Sequence, residues 1–192
     1  MCTFGTIFKR KEKMKLCTFS GIATAGKTTL AKSMSKEFKA TYLQADGLHK
    51  CFWPLDGIIP YNNFLRSLSY TTKLLVCKHK TPDKEYVFCD NDFFFFSDMH
   101  IRDEMLRLAG LYDIWKNGIH FFIFLPFEEY CIRRLKRDGI HTKDYSRTRA
   151  LYSKRLSQLL DMKEINNAVE IDGMLPLEEN IIKVKNIINS VS

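Results

Sequence analysis

Lys15-Leu-Cys-Thr-Phe-Ser-Gly21-Ile-Ala-Thr-Ala-Gly26-Lys27-Thr28 decides the reading of this chain. Lys15 to Ser20 is a short apolar run and predicts a buried strand. From Lys27 to Lys39 the apolar residues Leu30, Met34 and Phe38 fall four apart, which predicts one buried helix face. Between them lies a complete G-x-x-x-x-G-K-[ST] pattern, in the strand-to-helix setting that gives the pattern meaning. Glycines let the backbone wrap, so that several N–H groups converge on one anion. The helix that starts near Lys27 aims its positive end at the same point. Gly21, Ile22, Ala23, Thr24, Ala25, Gly26, Lys27, Thr28 and Thr29 are therefore the expected triphosphate cradle. Lys27 is expected on the outer phosphates and the Thr28 hydroxyl on Mg²⁺. ATP with Mg²⁺ is the cofactor pair this chemistry implies.

The same alternation continues outward. Short strands are predicted at 41–45, 86–89, 119–125 and 168–171. Helices are predicted at 61–80, 98–117, 127–137, 146–165 and 176–190, and a loop rich in Gly and Pro at 47–60. Five apolar strands alternating with helices predict a three-layer α/β/α sandwich on a five-stranded parallel sheet. At 192 residues the chain is expected to form a single domain, 1–192, with a basic lid segment around 133–150.

Composition excludes some classes. Hydrophobic residues are 45% and charged residues 27%, which rules out a disordered chain. The apolar run from Ile119 to Leu125 is far shorter than the ~20 residues a membrane span needs. A basic N-terminal cluster (Lys9, Arg10, Lys11, Lys13, Lys15) precedes a strand and no signal-peptide core, so the expected setting is cytoplasmic, with no membrane partner. The six cysteines form no metal-ligand spacing and are expected as reduced thiols in apolar runs. The five histidines form no ligand pattern, and His120, inside a strand, is expected as a satisfied core residue.

The net charge of +8 implies an anionic partner. It is concentrated: residues 133–155 hold nine Lys or Arg against two acids. Arg133 and Arg137 are four apart, on one helix face, and two guanidinium groups there suit a triphosphate losing its γ group. Asp90, directly after the third strand, is the expected second Mg²⁺ residue, with Asp92 a weaker candidate.

In this order the motifs resemble the nucleoside and nucleotide kinases of the P-loop class, and within it thymidylate kinases. Tyr86-Val-Phe-Cys-Asp90-Asn-Asp-Phe93 is similar to their strand ending in Asp-Arg-Tyr. The run from Phe121 to Arg137 is similar to their strand, helix and basic lid. Ala168-Val-Glu-Ile-Asp-Gly173 is similar to their Ile-Asp-Ala near the adenine. The resemblance implies strand order 2-3-1-4-5 and transfer of the ATP γ-phosphoryl to a (deoxy)nucleoside or nucleoside monophosphate.

Two departures bear on the acceptor. Asn91 stands where those kinases carry an Arg that helps bind an acceptor phosphate. Gln44-Ala-Asp46-Gly-Leu-His49 replaces their Arg-Glu-Pro-Gly. In related small-alcohol kinases an acid at that position takes the proton from the attacking hydroxyl, and Asp46 fits that role. Phe52, Trp53, Tyr61 and Phe64 are expected to stack on an acceptor base, and Arg66 to reach an acceptor phosphate. Two rivals stay open: a kinase acting on nucleic acid, at a 5′ end or a modified base, and a nucleotide-binding regulatory module without phosphotransfer. Oligomeric state is open, with a homodimer among the options.

Overall fold

The computed structural model describes residues 14–44, 63–80, 85–90, 99–139 and 145–191. Five strands form one sheet: β1 (Lys15–Gly21), β2 (Thr41–Gln44), β3 (Tyr86–Asp90), β4 (Ile119–Phe124) and β5 (Val169–Asp172). Their order is β2-β3-β1-β4-β5, and every pair is parallel, as the sequence predicts. The helices are α1 (Lys27–Glu37), α2 (Asn63–Lys80), α3 (Met99–Leu108), α4 (Tyr112–Lys116), α5 (Phe127–Asp138), α6 (Tyr145–Ile165) and α7 (Leu177–Val191).

The strands are apolar on both faces because both are covered. On one face Phe19, Phe88, Phe121 and Ile171 pack against Leu30, Ala31 and Met34 of α1 and Val184 and Ile188 of α7. Phe19 stacks between Phe88 and Phe121, with ring centroids 6.3 and 5.1 Å away. On the other face Leu16, Val87 and Cys89 meet Tyr70, Leu74 and Cys77 of α2, Leu106 of α3 and Trp115 of α4. α6 reaches this side over Phe122, whose ring lies 6.0 Å from the Lys163 ammonium.

One predicted element divides. The helix expected over 98–117 is two helices, α3 and α4, separated at Gly110. Gly110 sits at φ +64, a left-handed conformation that glycine adopts without penalty. Its N–H donates to Arg107 O at 3.0 Å and the Leu111 N–H to Leu106 O at 2.8 Å, closing α3 with the paired bonds of a left-handed cap. The break turns Leu111, Ile114 and Trp115 into the core. Apolar spacing across residues 98–117 had hidden it.

His120 is buried, as expected. Its Nε2 lies 3.0 Å from Trp115 O, which can only accept, so Nε2 carries the proton. Nδ1 then accepts from the Thr18 hydroxyl at 2.8 Å. Cys17, Cys77, Cys89 and Cys131 are free thiols, as expected; the other two cysteines lie outside the described residues. Among the described residues no helix is long and apolar enough to cross a membrane.

Burial pushes the Cys17 thiol up from 9.0 to about 12. Between those values the unfolded chain has released this proton and the folded chain has kept it. Stability therefore falls as pH rises through that window, by at most about 1.4 kcal/mol per pH unit from this group. Urea midpoints measured from pH 8 to 11 are expected to drop more steeply for the natural chain than for Cys17→Ala.

Candidate active site

The end of β1 is where the site begins. A side chain at Gly21 would place its Cβ 2.5 Å from the carbonyl oxygen of Ile123, so the loop can leave the sheet this close to β4 only as glycine. Thr24 at φ +65 and Gly26 at φ +93 then turn the backbone back. A left-handed threonine costs about 1–3 kcal/mol, strain of the kind found where function fixes the backbone. Gly26 is the N-cap of α1, and the first turn of α1 holds no acidic residue of its own.

Lys27 is buried and curls back over the loop, donating from Nζ to Ile22 O at 2.8 Å. Its charge is thus held against the loop backbone. Thr28, one residue on, donates from Oγ1 to Asp90 Oδ2 at 2.5 Å. Tyr42 Oη donates to the same oxygen at 2.7 Å. Parallel pairing makes this meeting possible, because Asp90 ends β3 opposite Phe19 of β1 and Gln44 of β2.

A cleft of about 520 Å³ opens over the loop. Gly26, Lys27, Thr28 and Thr29 line it together with Arg133 and Arg137 of α5. Asp90 stands behind Thr28, 2% exposed. Arg133 is anchored: Nε donates to Glu129 Oε1 at 2.6 Å and Nη2 to Gly173 O at 2.9 Å. Arg134 turns to Tyr130 Oη at 2.6 Å.

A second pocket of about 260 Å³ adjoins the first and shares Gly26, Thr29 and Arg133 with it. Leu30, Ile123, Leu175 and Leu177 give it apolar walls, with Asn180 at its polar side. Asn180 Nδ2 donates to Asp172 O at 2.9 Å, tying α7 to the end of β5. A Cβ on Gly173 would lie 2.5 Å from Phe124 O, so the chain passes close beneath this pocket.

The structure thus brings together Lys27, Thr28, Asp90, Arg133 and Arg137 with the loop from Gly21 to Thr29. Asp46, Phe52, Trp53, Tyr61, Asn91 and Asp92 lie outside the described residues. Phe64 and Arg66 are on the first turn of α2, and their side chains lie outside the description. Sequence reasoning missed Tyr42 and Asn180, while Gly173 ends the stretch that the resemblance had set near the adenine. The signal for Tyr42 was the pairing register of two parallel strands, which a single sequence does not display.

No protein-family model matches the chain, and no curated protein sequence matches it either. Solved structures do. A gluconokinase from Sinorhizobium meliloti matches 90% of this chain and 89% of its own, at 16% identity and a TM-score of 0.57. A shikimate kinase from Aquifex aeolicus matches 91% of this chain and 96% of its own, at 15% identity and a TM-score of 0.55. A deoxyadenosine kinase from M. mycoides, with dCMP and dCDP as bound products, matches 91% and 99%, at 12% identity and a TM-score of 0.56. The chain has the fold of the P-loop kinases.

The fold implies a divalent cation at the phosphates. A hydroxyl and a carboxylate are hard oxygen donors, which Mg²⁺ prefers, and it completes its shell with waters and phosphate oxygens. Among the described residues no cluster of three His, Cys, Asp or Glu forms an all-protein cage. Thr28 and Asp90 would suit a cation that took its remaining ligands from outside the protein.

Arg133 is half-buried and Arg137 is exposed. Arg133→Ala is expected to lower stability by about 1–2 kcal/mol, because two charge-assisted bonds are lost. Arg137→Ala, at the exposed end of α5, is expected to cost less than Arg133→Ala. Urea denaturation of the two variants checks this.

Proposed function

We propose that this chain is an ATP-dependent phosphotransferase that moves the γ-phosphoryl group to a hydroxyl of a small acceptor, a (deoxy)nucleoside. The observation that carries this reading is the shared cleft. Loop amides, Lys27 and Thr28 face Arg133 and Arg137 across one space, with Asp90 behind. A loop built only to hold a nucleotide needs no pair of guanidinium groups opposite it.

The chain's residues divide the work. Loop amides and the N-terminus of α1 hold the phosphates. Lys27 exchanges the Ile22 carbonyl for the outer phosphate oxygens. Thr28 and Asp90 would hold Mg²⁺, which would supply charge neutralisation to the nucleotide when bound. Arg137 meets the charge that develops on the transferring group, and Arg133 supports the wall between cleft and base pocket. The apolar pocket beside Asn180 suits the adenine. Asp46 takes the proton of the attacking hydroxyl as the new oxygen–phosphorus bond forms, and the bond to the β-phosphate oxygen breaks to release ADP.

An alcohol acceptor is favoured over a phosphate one by Asp46 and by Asn91. The neighbours' names point the same way, since gluconate, shikimate and deoxyadenosine all carry alcohols. The resemblance to thymidylate kinases supports the nucleoside class and supplies a monophosphate as the competing acceptor. A second reading, an acceptor on nucleic acid, is favoured by the basic run along α5 and α6, where Lys136, Arg137, Arg149, Lys154 and Arg155 are exposed.

ADP release measured across nucleosides, nucleoside monophosphates, sugars and oligonucleotides tests the proposal. Turnover is expected with a nucleoside; ADP formation with none of the four would leave only a binding module. Lys27→Ala is expected to lower turnover by about 10²-fold or more with the fold intact. Near-natural rates in that variant would end the phosphotransfer reading. Asp46→Asn is expected to lower turnover on alcohols by about 10²-fold or more and to spare any monophosphate activity. The ratio of the two rates is the readout.

A further inference from the structure

Asp90 Oδ2 accepts two hydroxyl hydrogen bonds, from Thr28 at 2.5 Å and from Tyr42 at 2.7 Å. The two donors are placed differently. Thr28 lines the phosphate cleft, and its hydroxyl keeps lone pairs for a cation while its O–H points to Asp90. Tyr42 belongs to β2 and reaches the carboxylate from the next strand. It pairs with Phe88, two residues before Asp90, so its ring leans diagonally along the sheet face to bring the phenol to Oδ2.

The ring itself is held. Lys32, one turn after Thr28 on the same face of α1, places its ammonium 5.4 Å from the centre of the Tyr42 ring. The same helix thus sets both Thr28 and the ring that steadies its carboxylate partner. Asp90 is 2% exposed, so water has little room to replace a lost donor. A second hydroxyl on one oxygen fixes the rotation of the carboxylate as well as its position.

We infer that Tyr42 is a positioning residue for the divalent cation of the bound nucleotide, acting through Asp90. It holds the carboxylate in one orientation while Thr28 offers its lone pair to the cation. The inference rests on the phosphotransfer reading and adds to it a residue from the edge strand. Groups hydrogen-bonded to metal-site carboxylates set metal affinity, and their loss costs about 10–100-fold.

The test uses the full chain, with ADP as nucleotide and Mn²⁺ as the cation, followed by electron paramagnetic resonance. Tyr42→Phe keeps the ring and removes only the hydroxyl. It is expected to weaken Mn²⁺ binding to the protein–ADP complex about tenfold. ADP affinity without metal is expected to stay within about twofold, since that pocket is untouched. In an Asp90→Asn background the same substitution is expected to add nothing, because its route is gone. Natural Mn²⁺ affinity in Tyr42→Phe, or a loss that simply adds to that of Asp90→Asn, would overturn the inference. Tyr42→Met carries the same expectations and decides the matter if the Phe variant fails to fold. A natural chain that bound neither ADP nor Mn²⁺ would remove the phosphotransfer reading and this inference together. Natural binding with an unchanged variant would remove this one alone.

Discussion

The site depends on how closely two strands approach at the mouth of the sheet. β1 ends at a glycine whose missing side chain leaves room for the carbonyl of Ile123 on β4. That contact lets the chain turn at the end of the central strand and start α1 after a five-residue loop. Lys27 and Thr28 then follow as the first residues of a helix packed on Phe19 and Phe88. The position of the ammonium and the hydroxyl is thus inherited from core packing, and a loop on a rigid strand–helix corner needs little further ordering when a ligand arrives.

The carboxylate opposite is placed by the same sheet. Parallel register sets Asp90 beside Phe19, and α1 lies across that point. Because β3 is between β1 and β2, its last residue is within reach of both the loop and the edge strand. A central position makes Asp90 a junction at which three chain segments meet, one from α1, one from β2 and its own. The arginines come from the other side, on the helix that follows β4. The strand order therefore decides which chemistry can meet across the cleft.

Much of this was legible in the residues. The spacing of Gly21, Gly26, Lys27 and Thr28 carries its mechanism in its composition, and four-residue spacing put Arg133 and Arg137 on one face. Asp90 was legible as an acid that stops an apolar strand. The strand order came from a resemblance, and the sheet bears it out. What was not legible depends on pairing and on backbone sign. Tyr42 looks like any aromatic residue of a short strand until the register of β2 against β3 is known. The split of α3 from α4 turns on one left-handed glycine, because apolar residues on both sides of Gly110 keep a helical rhythm across the break. Gly173 and Asn180 matter through close approach at the end of β5, a tertiary fact that local patterns do not encode.

Lys27 already has an oxygen in the Ile22 carbonyl. An incoming ligand must therefore outbid a main-chain acceptor that is tethered in place. A single sulfate or orthophosphate ion offers few contacts with which to do so. A polyphosphate tail, engaging loop amides, hydroxyl and cation together, has many. On the phosphotransfer reading the loop would be a threshold device, answering to how many anionic groups arrive at once rather than to any single one.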